Sequence, residues 1–244
     1  MSIDQQPQLG DGTRNRLVML AALVAAAALG AAAFAVFTHG SGADKGGSGD
    51  QQHSQSPDAF SLPPTQGTTE PTVLPSAKSA KDGVPVGYPR TLNGAISAAA
   101  HFYDIIDAFN PVAAEKQYRV TAEPGKEKQL GDDALRFSMA LRNSSGLSLV
   151  GESDAGNYYT LHSRAYRIDS ASKDRVRVWI LTDTELSARG VADSDTTVQT
   201  ADLVWAAGDW KFTSLDEKGS EPDPVAPDSA QAVNAGWRTL AYAK

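Results

Sequence analysis

The sequence contains no cysteine, which excludes disulfide bridges, thiol nucleophiles and thiolate metal sites. Histidine is also scarce, with four in 244 residues, and no two of them stand at a metal-ligand spacing, so we expect no metal site. The formal net charge of −7 argues against a nucleic-acid-binding domain, which is usually basic. We therefore expect no nucleic-acid partner.

The common catalytic motifs are absent from the sequence as well. It has no glycine-rich loop ending in Gly-Lys-Ser/Thr, no G-x-S-x-G elbow and no H-E-x-x-H helix. We therefore expect no cofactor, no catalytic residue and no enzymatic activity. A less favoured alternative is an acid/base site, for which five side chains could serve: His101, Tyr103, Asp104, Asp107 and His162.

An uncharged apolar run extends from Leu17 to Phe37. Its length matches the ~30 Å hydrocarbon core of a bilayer, so it predicts a single transmembrane helix in contact with lipid. Arg14 and Arg16 precede it, which places residues 1–16 in the cytoplasm and the rest of the chain outside. A cleavable signal peptide ending near Ala33–Ala35 is the alternative, although its apolar region is usually shorter.

Residues 38–87 have the composition of a disordered linker. The segments "GSGADKGGSGDQQHSQS" and "LPPTQGTTEPTVLP" are rich in Gly, Ser, Gln, Thr and Pro. Such a chain buries too little apolar surface to offset its ordering entropy. We expect a tether that holds a folded domain away from the membrane.

The hydrophobic period changes along residues 88–218, which we expect to form one α+β domain. Thr91 and the pair Asn110-Pro111 predict the starts of two helices, which end near Phe109 and Thr121, and Leu130 to Leu141 predicts a third. From Tyr158 the period becomes two, which predicts two antiparallel hairpins. Helices followed by strands favour helices packed on an antiparallel sheet of about four strands.

The C-terminal end completes the expected domain plan. Residues 219–227 form a proline-rich connector, and residues 228–243 are predicted to form a last helix capped by Asp228. In that helix Val233, Trp237 and Leu240 share one side. Whether the helix docks on its own domain is left open.

The stretch "TADLVWAAGDWKF" predicts the core of the second hairpin. A loop over residues 206–209 places Trp205 opposite Trp210 and Leu203 opposite Phe212, so these four side chains share one side of the sheet. We expect them to pack under the helices. The alternative is that the tryptophan pair lines a ligand pocket.

The first hairpin carries the candidate partner-binding face. Pairing Ile168 with Arg175 leaves aliphatic side chains on one side and gathers basic and aromatic side chains on the other: Arg164, Tyr166, Arg175, Arg177 and Trp179. Arg, Tyr and Trp are enriched in protein interfaces. An ordinary surface, on which arginine stems cover aromatic rings, is the alternative.

Three segments carry a resemblance to a known family: "GYPRTLNGAISAAAHFY", "SRAYRIDSASKDRVRVWIL" and "TTVQTADLVWAAGDWKF". They resemble actinobacterial single-pass membrane proteins associated with integrative and conjugative elements. The order of anchor, linker, helices and sheet also resembles type IV secretion assembly factors. That resemblance implies a curved sheet of the cystatin-like or nuclear-transport-factor-2-like kind.

The resemblance implies a non-catalytic envelope protein of the cell membrane. Its extracytoplasmic domain binds an envelope protein or a second copy, as an assembly or scaffold component of a conjugation or secretion apparatus. The alternative is a small-ligand-binding module, and less favourably an acid/base enzyme in a cone-shaped fold.

Overall fold

The computed structural model describes Phe60, residues 66–215 and residues 221–243. The predicted span from Leu17 to Phe37, the tail before it and most of the predicted linker lie outside these residues. In the part of the chain that is described, no helix combines the length and the apolar character needed to cross a membrane.

Three helices follow one another, namely α1 (Leu92–Ile105), α2 (Pro111–Thr121) and α3 (Glu127–Ser144). The Thr91 hydroxyl accepts the Gly94 N–H at 3.0 Å, and the Asn110 amide oxygen accepts the Ala113 N–H at 3.1 Å. Both helices therefore begin where their capping residues predict. Helix α1 ends before Phe109, because Ile106 adopts an extended conformation.

The strands form a six-stranded mixed sheet and a separate short hairpin. The hairpin joins β2 (Ser79–Lys81) to β3 (Val84–Val86). The large sheet has the order β1-β8-β4-β5-β6-β7, in which β1 and β8 are parallel and the other pairs antiparallel. Its strands are β1 (Thr68–Leu74), β4 (Tyr158–Ala171), β5 (Arg175–Ala188), β6 (Val191–Ala206), β7 (Asp209–Phe212) and β8 (Arg238–Tyr242).

The expected curved, antiparallel sheet of about four strands, of the cystatin or nuclear-transport-factor-2 kind, is therefore wrong. The sheet has six strands, and one of its pairs is parallel. The two additional strands, β1 and β8, come from the predicted linker 38–87 and the predicted helix 228–243. Both lie at one edge of the sheet, where β8 is next to β4 and β1 is the outermost strand.

Strand β1 was not expected because its side chains resemble those of a linker. It contains Glu70 and Pro71, which are depleted in strands. Its pairing depends on main-chain groups instead, with Thr72 beside Leu240 in β8. Only its last residue, Leu74, enters the core, where it is fully buried.

The predicted C-terminal helix is wrong over most of its length. A short helix, α4 (Ala230–Asn234), is capped by Ser229 rather than Asp228. Gly236 has a φ of 88°, and this left-handed conformation ends the helix. The chain then continues as β8, so Trp237 and Leu240 join different hydrophobic clusters instead of sharing a helical side.

The sheet has two unlike faces. The first face packs with α1 in the main core, where Phe102 contacts the Phe212 ring at a centroid distance of 4.9 Å. The second face buries a smaller cluster, in which Trp179 and Leu181 of β5 meet Trp237. We call residues 221–237, which cover this face and supply Val225, Ala232 and Trp237 to the cluster, the C-terminal cover.

Candidate partner-binding face

The predicted partner face depends on the register between β4 and β5, and that register differs from the expected one. Ile168 lies opposite Val178, not Arg175. The ladder is interrupted between Ser163 and Ala165 and again between Ile168 and Ser170. Because each bulge adds one unpaired residue, it changes which side chains share a face.

Tyr166 does not belong to the partner face. It lies opposite Ile180 in the main core and is 4% exposed. Its hydroxyl is 3.1 Å from the Thr72 hydroxyl of β1. The prediction for Tyr166 is wrong because the bulge between Ile168 and Ser170 turns it away from the face of Arg175 and Arg177, and the bulge between Ser163 and Ala165 separates it from Arg164.

Trp179 lies on the second face, as predicted, but it is covered. It is 8% exposed and packs in the cluster that contains Trp237 and Val225 of the C-terminal cover. The Arg167 guanidinium lies 5.1 Å from the centre of its ring. The end of the chain therefore docks on its own domain, and Trp179 is not a free anchor for a partner.

Two of the predicted arginines are held by carboxylates. Arg177 forms a two-point ion pair with Asp202 of β6, with both N···O distances at 2.9 Å. Arg164 pairs with Asp183 at 2.6 Å and with Asp228 of the C-terminal cover at 3.5 Å. These pairs fix the guanidinium planes and tie the cover to the sheet.

Arg175 is exposed at the start of β5. No carboxylate of the described residues lies within ion-pair distance of its guanidinium. It borders an open depression of the second face, lined in part by Ser170, Asp202 and Thr213. We call Arg167, Arg175 and Arg177 the arginine strip.

The second predicted set, the hairpin core, has the expected strand pairing, but Trp205 is not among the buried core residues. Trp205 lies opposite Trp210 and Leu203 opposite Phe212, and the two indole rings meet edge to face at 5.5 Å. Trp210 is 2% exposed and donates from Nε1 to the Pro89 carbonyl at 3.0 Å. Trp205 is only half-buried, beneath the Arg90 guanidinium.

Two of the acid/base candidates lie close together near the end of the chain. His101 stacks on Tyr242 of β8 with a centroid distance of 4.1 Å. Asp104 accepts the Ser163 N–H at 2.6 Å and the Tyr242 hydroxyl. The Asp104 carboxylate therefore joins α1, β4 and β8.

The other three candidates lie elsewhere. The Tyr103 hydroxyl donates to the Thr200 carbonyl at 2.6 Å. Asp107 accepts the Ser153 hydroxyl, and His162 is exposed beside β5, opposite Asp183. The five residues therefore do not form one acid/base centre.

Tyr88 and Tyr242 complete the cluster around His101, and sequence reasoning missed both. Burial, followed by the hydrogen bond to Asp104, raises the pKa of Tyr242 well above its ordinary value. Burial, followed by the charge of Asp209, likewise raises the pKa of Tyr88. The buried Tyr88 hydroxyl has no hydrogen-bond partner among the residues described. Only the contact of distant segments brings them together, so no local pattern could have identified them.

Comparison with known proteins gives one match. Residues 50–234 match the family described as a domain of unknown function, DUF8175, and the chain belongs to that family. No curated protein and no solved structure matches the chain.

Proposed function

We propose that this member of the DUF8175 family is a non-catalytic envelope protein, anchored in the membrane by Leu17–Phe37, whose folded domain binds a protein partner. The role we infer is assembly or scaffolding in a conjugation or secretion apparatus of the cell envelope. The observation that supports partner binding is the arginine strip on the second face of the sheet.

The arginine strip has the chemistry of an interface. Arg175 can bind a partner's carboxylate without losing an internal ion pair, because no carboxylate of the described residues holds it. Arg177 is already oriented by Asp202, so less side-chain entropy is lost when a partner contacts it. A cationic strip on a chain of net charge −7 also orients an acidic partner during encounter.

Because the proposed anchor and linker hold the domain near its partner, a modest affinity of the domain is sufficient for binding. In this proposal a tether joins the anchor to the folded domain, which includes Phe60, because the Phe60 ring lies 6.2 Å from the Trp210 ring in the main core. Tethering beside a partner raises the effective concentration to about the millimolar range when the linker spans the gap. Weak binding by the isolated domain therefore agrees with the proposed function.

The test is membrane crosslinking of the full chain with the variant Arg167→Gln/Arg175→Glu. We expect loss of crosslinked partner with little change in melting temperature, because Arg175 is exposed and Arg167 is only half-buried. The matched control is Arg136→Glu, whose exposed side chain on α3 lies outside the arginine strip. Crosslinks that persist in the double variant contradict the proposed site.

A second candidate function, small-ligand binding, is favoured by one observation. The buried Tyr88 hydroxyl is unpaired among the described residues and belongs to the cluster that includes His101 and Tyr242. A polar small molecule there would shift the His101 ring resonances. Screening such compounds by NMR separates the two functions, since a partner protein bound at the arginine strip leaves those resonances unchanged.

A further inference from the structure

Strand β6 is much longer than its outer neighbour β7. Strand β7 pairs with it only from Leu203 to Ala206. Beyond that pairing, the Asp202 carbonyl accepts the Thr213 N–H, and the Thr200 carbonyl accepts the Tyr103 hydroxyl. No strand of the described chain lies outside residues 191–199, which we call the open edge.

The main-chain hydrogen bonds show which residues of the open edge point outward. The Trp205 N–H donates towards the β5 side, to the Asp174 carbonyl, whereas the Asp202 carbonyl is used from the β7 side. Main-chain groups alternate in direction along a strand. The residues of the open edge that present N–H and C=O groups outward are therefore Ala192, Ser194, Thr196 and Val198.

Two of these outward donors are capped by acidic side chains. The Asp193 carboxylate accepts the Ser194 N–H at 2.9 Å, and the Asp195 carboxylate accepts the Thr196 N–H at 2.7 Å. Both aspartates are exposed. The open edge thus carries its own negatively charged hydrogen-bond acceptors.

The carboxylates of Asp193 and Asp195 disfavour two common ways in which an exposed strand edge pairs, with a second copy of the same edge and with a neutral strand. Exposed edges pair readily with other strands, and charged side chains are a known protection against it. A second copy that brings the same edge alongside would place its own aspartates near Asp193 and Asp195, which is unfavourable for like charges. A neutral strand would have to displace the carboxylates without compensating their charge.

We propose that the open edge binds an extended basic segment of a partner protein by strand addition. Lysine or arginine side chains of that segment take the carboxylates of Asp193 and Asp195. The Ser194 and Thr196 N–H groups are then released to pair with the partner's main chain. This inference rests on the proposed partner-binding function and assigns a basic chemistry to one extended segment of the partner.

The spacing of the two caps defines the partner's pattern. Asp193 and Asp195 are two residues apart, so their side chains leave the same face of β6 about 6.8 Å from each other. Two basic residues separated by one residue have the same spacing in an extended partner. The binding segment is therefore expected to alternate basic residues with uncharged strand-forming residues.

The test uses the full chain in detergent micelles and a synthetic peptide of alternating lysine and valine or threonine. We expect saturable binding that weakens about tenfold or more in the variant Asp193→Asn/Asp195→Asn. Glu185→Gln is the matched control, because it removes a charge from the opposite face of the same hairpin. Its affinity for the peptide should stay close to that of the unaltered chain.

Two further measurements separate strand addition from simple charge attraction. A peptide with the same lysines but N-methylated main-chain amides should lose binding, since it cannot complete the ladder. Ser194→Pro should also weaken binding, because it removes an outward N–H while the inward bonds to β5 remain. Melting curves verify that each variant is folded.

Any one of three results would overturn the inference. The N-methylated peptide could bind as well as the unmodified one, Asp193→Asn/Asp195→Asn could leave the affinity unchanged, or the lysine peptide could fail to bind at all. The proposed function is tested separately by crosslinking at the arginine strip. If the unaltered chain gives crosslinks that Arg167→Gln/Arg175→Glu abolishes, while the lysine peptide does not bind, only the open edge is removed as a binding surface.

Discussion

The two faces of the sheet are built in different ways. The first face is covered by helix α1, and side chains from contiguous helices and hairpins fill the main core. Among the described residues, the second face is covered by the C-terminal cover, which buries a small cluster around Trp179 and Trp237. The first face therefore supplies most of the buried core that stabilises the fold. The second face has a small buried cluster and presents polar side chains beside it.

The two ends of the described domain also differ from the main core. The parallel pair of β1 and β8 joins the start and the end of the described domain at one edge of the sheet. The strand pairing of β8 with β4 is short, with two residue pairs, Ala165 with Thr239 and Tyr166 with Arg238. The main core and the edge formed by the chain ends should consequently differ in stability.

The largest expected effect is on the first face. Trp210→Ala removes an indole that is 2% exposed and its hydrogen bond to Pro89, so it should lower the free energy of unfolding by about 3–5 kcal/mol. Trp205→Ala is the control. Because Trp205 is half-buried, this substitution should lower the free energy of unfolding by less than Trp210→Ala does. Denaturant unfolding of both variants measures the difference, and equal small losses would show that the pair is not core.

The next effect is on the second face. Trp237→Ala should lower stability by about 3 kcal/mol, because Trp237 is 1% exposed within a smaller cluster. In the Trp237→Ala variant, amide hydrogen exchange should become faster in the C-terminal cover and in β8, and it should change less in α1. If protection falls uniformly across both faces, the two clusters form one cooperative unit and the comparison fails.

A smaller effect is expected where β8 meets α1. Tyr242→Phe removes the hydroxyl that Asp104 accepts and should cost about 1.5–2 kcal/mol at neutral pH, a typical value for a hydrogen bond to a charged group. Tyr88→Phe is the matched control, because its buried hydroxyl has no partner among the described residues. That variant should melt at or above the temperature of the unaltered chain, and a larger loss there than in Tyr242→Phe would contradict this account.

The same tyrosines give a pH dependence with a definite sign. Their pKa values are raised in the folded protein above the ordinary 10.0, so their contribution to stability is complete below pH 10. It is lost as pH rises further, because the unfolded chain releases these protons first. Melting temperatures between pH 8 and pH 11 should fall less steeply in Tyr88→Phe and Tyr242→Phe than in the unaltered chain.

The smallest effect is expected in the arginine strip. Arg175→Ala should change the free energy of unfolding by less than about 0.5 kcal/mol, because Arg175 is exposed and no carboxylate of the described residues pairs with it. Thermal unfolding is the measurement. If Arg175→Ala lowers the free energy of unfolding as much as Trp237→Ala does, Arg175 stabilises the fold of the second face, which contradicts the expectation.

Local signals predicted the helix starts and the second hairpin. Thr91 and Asn110 act as caps, and Trp205 faces Trp210, because caps and short hairpins depend on residues close in sequence. The turn between β6 and β7 contains only Ala207 and Gly208, both at positive φ, since Ala206 pairs with Asp209. The register still agrees with the expected one.

Contacts between distant segments could not be predicted in this way. The parallel pairing of β1 with β8 uses main-chain groups and leaves no periodic signal in β1. The bulges in β4 turned Tyr166 into the core, and the C-terminal cover buried Trp179. Alternation along the predicted hairpin identified Arg164, Arg175 and Arg177 but missed Arg167, and the exposure of each arginine depends on these long-range contacts.

The most direct test of partner binding on the second face is site-specific photocrosslinking of the full chain in its native membrane. A photoreactive residue at Ser170, in the depression beside Arg175, is compared with one at Val112, which is exposed on α2. We expect a defined crosslinked protein from position 170, which is lost when Arg175→Glu is added, and none from position 112. Equal crosslinking at both positions, or crosslinks at 170 that do not respond to Arg175→Glu, would contradict this expectation.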